Sequence, residues 1–171
     1  MNLVEAILKE HSVVMRDRIV KYVGNDTTRF KELVRVFLKG PYLMTQRASW
    51  PLAYCVEKYP ELIKPHLSRI LKNLETPGIP VAVKRNTVRL LQFVEIPKPF
   101  QGSAANICFK FLSDPREPIA ARVFSMTVLA NIAKDHPEIG NELRIIIEDQ
   151  LPFGPAGFVS RGKKVLKALK V

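Results

Sequence analysis

The chain has 171 residues, 47% of them hydrophobic and 25% charged, and its 27 Lys+Arg outweigh 16 Asp+Glu for a formal net charge of +11. That length and apolar content exclude a scaffold dependent on disulfides or metal, and no polar low-complexity tract argues for disorder. The positive balance points to anionic partners such as nucleic acid, acidic protein or anionic lipid.

In chain order, the opening MNLVEAILKE carries acid where a signal peptide carries base. No apolar run approaches the roughly 20 residues of a membrane span, so the expectation is a soluble cytoplasmic protein. Leu3, Ile7, Val14, Ile19 and Val23 predict a first helix. Phe30, Leu33, Val34, Phe37 and Leu38 predict a second, with apolar residues three and four apart. Asp26 or Thr27 offers a side-chain oxygen as its cap. Gly40-Pro41 should end it, the glycine by a left-handed position and the proline by removing a donor. Residues 1–40 therefore read as an N-terminal capping helix pair.

From residue 42 to 169 the pattern repeats: a helix, a break at proline, a second helix, a polar turn. The breaks Tyr59-Pro60, Ile96-Pro97 and His136-Pro137 are 37 and 40 residues apart, the interval of a solenoid built from helix pairs. KYPELIKPHLSRILKNL, Lys58 to Leu74, aligns without a gap on DHPEIGNELRIIIEDQL, Asp135 to Leu151. WPLAYCV, VRLLQFV and VLANIA place large and small apolar residues just before each break, so each first helix needs a neighbour to bury its face. No useful strand alternation appears. The chain reads as one all-α domain over residues 1–171.

DPREPIAARVFSMTVLANIAKDHPEI, with its Asp-Pro turn, early Arg122 and alternating small and large residues, resembles the HEAT-repeat superfamily. That superfamily includes the HEAT-like group containing DNA alkylation-repair glycosylases. The resemblance extends over residues 42 to 169 and implies a short HEAT-like solenoid, a right-handed α-α superhelix of about eight to nine helices. It speaks to fold more than to function.

Several constellations invite a chemical reading. GFVSRGKK, Gly157 to Lys164, nearly spells a phosphate-binding loop, but Lys164 replaces the hydroxyl that would bind magnesium and no strand precedes it. The alternative is a turn over Phe153 to Gly157 and a last helix carrying Arg161, Lys163, Lys164, Lys167 and Lys170, with Val165, Leu166 and Leu169 as its apolar stripe. A basic residue also recurs near the start of each first helix: Arg47, Lys84-Arg85, Arg122 and Arg161, spaced 38, 37 and 39 residues apart counted at Arg85. Stacked at the repeat period, with Arg89 one turn after Arg85, these could grip successive phosphates. The resemblance implies another role, in which an Asp and a basic residue tie adjacent turns, and Asp114 with Arg122 would be such a pair.

Trp50 suggests the base-stacking cleft that the resemblance implies for the glycosylases, yet no Asp lies within a helical turn of this single Trp. Packing is the simpler role for it. His11, His66 and His136 are scattered without metal-ligand spacing. Cys55 and Cys108 sit in apolar sequence, where a thiol is inert. No catalytic residue, metal or cofactor is expected.

The second helices are mixed in charge. Lys64, His66, Arg69 and Lys72 make one basic, Lys110 adds a single charge to another, and Glu138, Glu142, Glu148 and Asp149 make a third acidic. Such alternation suits a patterned protein surface better than a uniform phosphate backbone. The sequence thus favours a non-enzymatic HEAT-like interaction module with a protein partner. The alternative is a nucleic-acid-binding protein using Arg47, Lys84, Arg85, Arg89, Arg161, Lys163, Lys164 and Lys167. An alkylated-base glycosylase is the third reading.

Overall fold

Side-chain caps set the first helix boundaries in the computed structural model, which describes residues 1–169. Asn2 accepts from the Val4 and Glu5 amides at 3.0 and 3.3 Å to start α1 (Leu3–Lys9). Ser12 accepts from Met15 N at 3.1 Å to start α2 (Val13–Val23). A hydroxyl at this position stabilises a new N-terminus and lets the chain turn at the extended Glu10. The single helix predicted across Leu3 to Val23 is therefore two, and residues 1–40 hold three helices. Asp26 accepts from Thr28 N and Arg29 N, both at 2.9 Å, at the head of α3 (Thr27–Lys39), as the sequence suggested.

Gly40 ends α3 for a different reason from the one expected. Its φ is −73°, open to any residue, but a Cβ there would lie 2.6 Å from Val36 O and 3.1 Å from Met44 Sδ. Close approach of the chain to itself requires the glycine.

α4 (Tyr42–Lys58) and α6 (Val81–Leu91) follow, with α5 (Leu67–Leu74) between them. The two segments that align in sequence fold differently. Pro65 lacks a donor and clashes with the preceding turn, so Pro60–His66 forms a 3₁₀ helix before α5. Its counterpart, with no internal proline, is the continuous α9 (Pro137–Gln150). α7 (Lys98–Ser113), α8 (Ile119–Ile132) and α10 (Ala156–Ala168) complete ten α-helices among the described residues, slightly above the eight to nine expected, with no strand among them. None of these helices is long and apolar enough to cross a membrane.

The helices group into two units, Met1–Glu95 and Ile96–Val171. In the first, α4 is central, contacted by α1, α2, α3 and α6. Leu33, Leu52, Ile63, Leu67 and Leu90 are completely buried in it. A polar link joins α4 to α6: Asn86 Nδ2 donates to Ser49 Oγ at 2.8 Å, and Ser49 donates to Gln46 O at 2.7 Å, so these buried groups are satisfied. In the second unit α8 is central, contacted by α7, α9 and α10. Phe158 of α10 is completely buried, and Gly162 lets α10 approach α9, since a Cβ there would meet Ile147 Cγ2 at 3.0 Å.

His66 shows how tightly the first unit is specified. It is buried beside Phe30, ring centroids 5.8 Å apart, and Arg69 Nη2 lies 2.7 Å from its Nδ1. A guanidinium only donates, so Nδ1 accepts and the ring is neutral. Burial first, then the charges of Arg69 and Lys31, push its pKa below 6.5.

Two predictions follow from this packing. Phe158→Ala empties a fully buried site and should lower the unfolding free energy by about 3–5 kcal/mol, read by urea denaturation. Because the folded His66 pKa is depressed, its stabilising contribution is full above the unfolded value of 6.5 and lost as pH falls through the lower folded value. His66→Gln keeps an acceptor that does not titrate, so the drop in urea midpoint on acidification from neutral pH should shrink in that variant.

Candidate functional site

In the first unit the basic positions sort into tied and exposed side chains. Arg47 of α4 donates through Nη1 to Leu8 O at 2.8 Å and to Ile7 O at 3.4 Å. These carbonyls lie in the last turn of α1, where acceptors lack helical partners and the dipole favours a cation. Arg89 of α6 pairs with Glu57 of α4 at 2.5 Å. Its guanidinium lies over Tyr54 at 4.4 Å and Phe93 at 5.5 Å. Arg16 of α2, bonded to Asp17 at 2.7 Å, lies over the same Tyr54 at 4.0 Å and over Trp50 at 4.9 Å.

Trp50, Arg16, Tyr54, Arg89 and Phe93 thus form a chain of contacts in which rings alternate with guanidiniums. Each such contact is worth about 0.5–1 kcal/mol at a partly exposed site. The two cations sharing Tyr54 are each offset by a carboxylate. Trp50 is half-buried in this stack and also meets His11, ring centroids 5.1 Å apart. It packs against the guanidinium of Arg16 from α2. Burial, then the charges of Arg47 and Arg85, lowers the His11 pKa. Of the remaining predicted positions, Lys84 is half-buried and Arg85 is exposed.

In the second unit Arg122 is buried on α8. Its Nε donates to Leu112 O at 3.4 Å, its Nη2 to Gln150 Oε1 at 2.5 Å, and its guanidinium lies 4.7 Å from the Phe158 ring. Burial lowers its pKa, and the charge of Asp114 opposes that shift. Asp114 acts on Arg122 through its charge and also accepts from Arg116 Nε at 3.0 Å and Nη2 at 2.8 Å. Arg116 is two residues away on the same turn and reaches the carboxylate without crossing between helices.

Arg161 of α10 donates to Thr127 Oγ1 of α8. Beside it, α8, α9 and α10 enclose a groove of about 740 Å³ whose polar lining includes Asn131, Lys134, Arg144, Arg161 and Lys164. Among the described residues no carboxylate lines it. Lys134, Arg144 and Lys164 are exposed, as are Lys163 and Lys167 further round α10. Lys170 lies outside the described residues.

Sequence reasoning missed Lys134 and Arg144 because it took α9 as an acidic helix. Charge on a helix is decided by row: Pro137, Gly140, Asn141 and Arg144 share the groove side at helical spacing, and Glu138, Glu142, Glu148 and Asp149 are exposed outside the lining. Arg144 and Glu148 are 3.9 Å apart across one turn. The signal was available as the row i, i+3, i+4, i+7.

The remaining reactive groups are quiet. Burial pushes the Cys55 and Cys108 thiols up to about 12, so neither supplies thiolate near neutral pH. Among the described residues no group of three or more His, Cys, Asp or Glu could hold a metal ion. GFVSRGKK lies wholly within α10, where the amides from Val159 onward are spent on helical bonds, the first to Pro155 O, so the motif forms no loop to wrap a phosphate.

A family model described as HEAT repeat domain matches residues 4–169. No curated protein and no solved structure matches the chain.

The division into tied and exposed cations is measurable. Arg122→Ala strips Gln150 and Leu112 O of a charged donor and should cost about 2–3 kcal/mol in urea denaturation. Lys163→Ala, at an exposed position, should stay within about 0.5 kcal/mol of the parent protein.

Proposed function

Because the chain belongs to the HEAT repeat domain family, we propose that it is a non-catalytic interaction module whose basic α8–α10 groove docks an acidic protein surface. HEAT repeats typically mediate protein interactions, and the family is generally non-catalytic. The observation that carries the finer reading is the groove itself, with four cations and no carboxylate on facing helices among the described residues, and with Lys163 and Lys167 extending the charge along α10. Such a surface accelerates association with an anionic partner and selects against basic ones.

A protein suits this groove better than nucleic acid, because its lining holds no aromatic ring on which a base could stack. Arg47 and Arg89, two of the side chains on which phosphate binding would rest, are engaged within the first unit. A cytoplasmic location is part of the proposal, since Cys55 and Cys108 are free thiols of the kind a reducing compartment maintains.

The immobilised full chain, challenged with lysate at low and high salt, should retain acidic proteins at low salt and release them as ionic strength rises. K163A/K164A/K167A should release the acidic proteins held through α10, lowering that retention without changing the helical circular dichroism. Retention of nuclease-sensitive material with no enriched protein would overturn the proposal in favour of nucleic acid.

A further inference from the structure

A second basic groove, of about 600 Å³, lies within the first unit between α3 and α5. Lys31, Arg35 and Lys39 line it from α3 at successive turns, spanning about 12 Å at 1.5 Å per residue. Arg69 and Lys72 line it from α5, and Glu32 is its one acid. All five cations are exposed. The side chains of Lys31, Arg35, Lys39 and Lys72 make no hydrogen bond or ion pair among the described residues.

Like charges one turn apart repel by a few tenths of a kcal/mol per pair, so this arrangement destabilises α3 when the groove is empty. An anionic occupant reverses the sign. Arg69 is already oriented: its Nη2 is fixed on the buried His66, leaving other N–H donors of a five-donor fork available. Between the charges lie half-buried Leu38 and the polar groups of Thr28, Asn73 and Thr76.

We propose that the α3–α5 groove is the docking site for an acidic peptide segment of a partner protein. The segment carries carboxylates about one helical turn apart, with an apolar residue set against Leu38. Carboxylates at that spacing match the Lys31, Arg35 and Lys39 ladder, and Arg69 takes one bidentately. Thr28, Asn73 and Thr76 supply hydrogen bonds for polar side chains of the segment. The groove holds no aromatic side chain to stack a base, which separates this occupant from a single-stranded nucleic acid. The proposal rests on the reading of the chain as an interaction module, but on helices other than α8, α9 and α10.

The test is fluorescence anisotropy on the full chain with a labelled helical peptide of Glu-Glu-Leu repeats, its Lys-for-Glu counterpart and a thymidine oligonucleotide. The Glu peptide should bind, weaken with salt, and lose about tenfold or more in affinity in K31E/R35E, a change of about 1.4 kcal/mol or more. The milder K31A/R35A should weaken it in the same direction, and both sites are exposed on α3, so circular dichroism should stay unchanged. K163E/K164E should leave this binding within about twofold.

Absence of Glu-peptide binding, binding indifferent to K31E/R35E, or tighter binding of the Lys peptide or the oligonucleotide at this groove would each overturn the proposal. Loss in K163E/K164E with none in K31E/R35E would overturn it while leaving the α8–α10 reading standing. Failure of lysate retention at α10, with groove binding intact, would have the opposite meaning.

Discussion

Burial of the two central helices is the constraint on which the rest of the structure depends. α8, IAARVFSMTVLANI, is apolar on nearly every side, with Arg122 its single charge and Ile119 its one exposed residue. A helix of that kind is stable only when neighbours cover it, and α7, α9 and α10 do so. α4 plays the same part in the first unit, with Leu52, Ala53, Cys55 and Val56 completely buried. Intrinsic propensity contributes little at such positions. The stack of neighbours does the work.

The same constraint sorts the charges. A cation next to a covered helix must either find acceptors or be expelled, because an unpaired buried charge costs several kcal/mol. Arg47 takes the loose carbonyls at the end of α1, Arg122 takes Leu112 O, Gln150 and a ring face, and Arg89 takes Glu57 with Tyr54 and Phe93. All three act as ties between helices. Arginine fits this use better than lysine, since its planar fork bonds at the edge and stacks on the face.

Fold was largely legible in the sequence because it follows from periodicity and punctuation, both local. Asp26 and the proline at His136-Pro137 marked helix starts correctly. The misses came from competition that periodicity does not register. Ser12 converts one long apolar pattern into two helices, and Pro65 turns half of a well-aligned second helix into a 3₁₀ segment. The sites were less legible, since a side chain's fate depends on what reaches it from other helices. Nothing near Arg89 in sequence announces Glu57, 32 residues earlier. Nothing in the net acidity of α9 announces that its groove-facing row carries Arg144.

The distribution of acids explains why surplus charge collects where it does. Asp17, Asp26, Glu57, Glu61, Asp114 and Glu148 are each bonded to a nearby cation. Carboxylates engaged in this way neutralise the cations beside them, and the excess of basic residues that makes the chain +11 sits elsewhere. That excess appears on rows that no helix covers, Lys31, Arg35 and Lys39 on α3 and Lys163, Lys164 and Lys167 on α10. Lys39 and Lys167 gain from the dipole in the last turns of their helices, but stability gives no reason to place further cations a turn before them, since each such pair is unfavourable. Their persistence beside grooves lined with polar side chains is what an anionic partner would require.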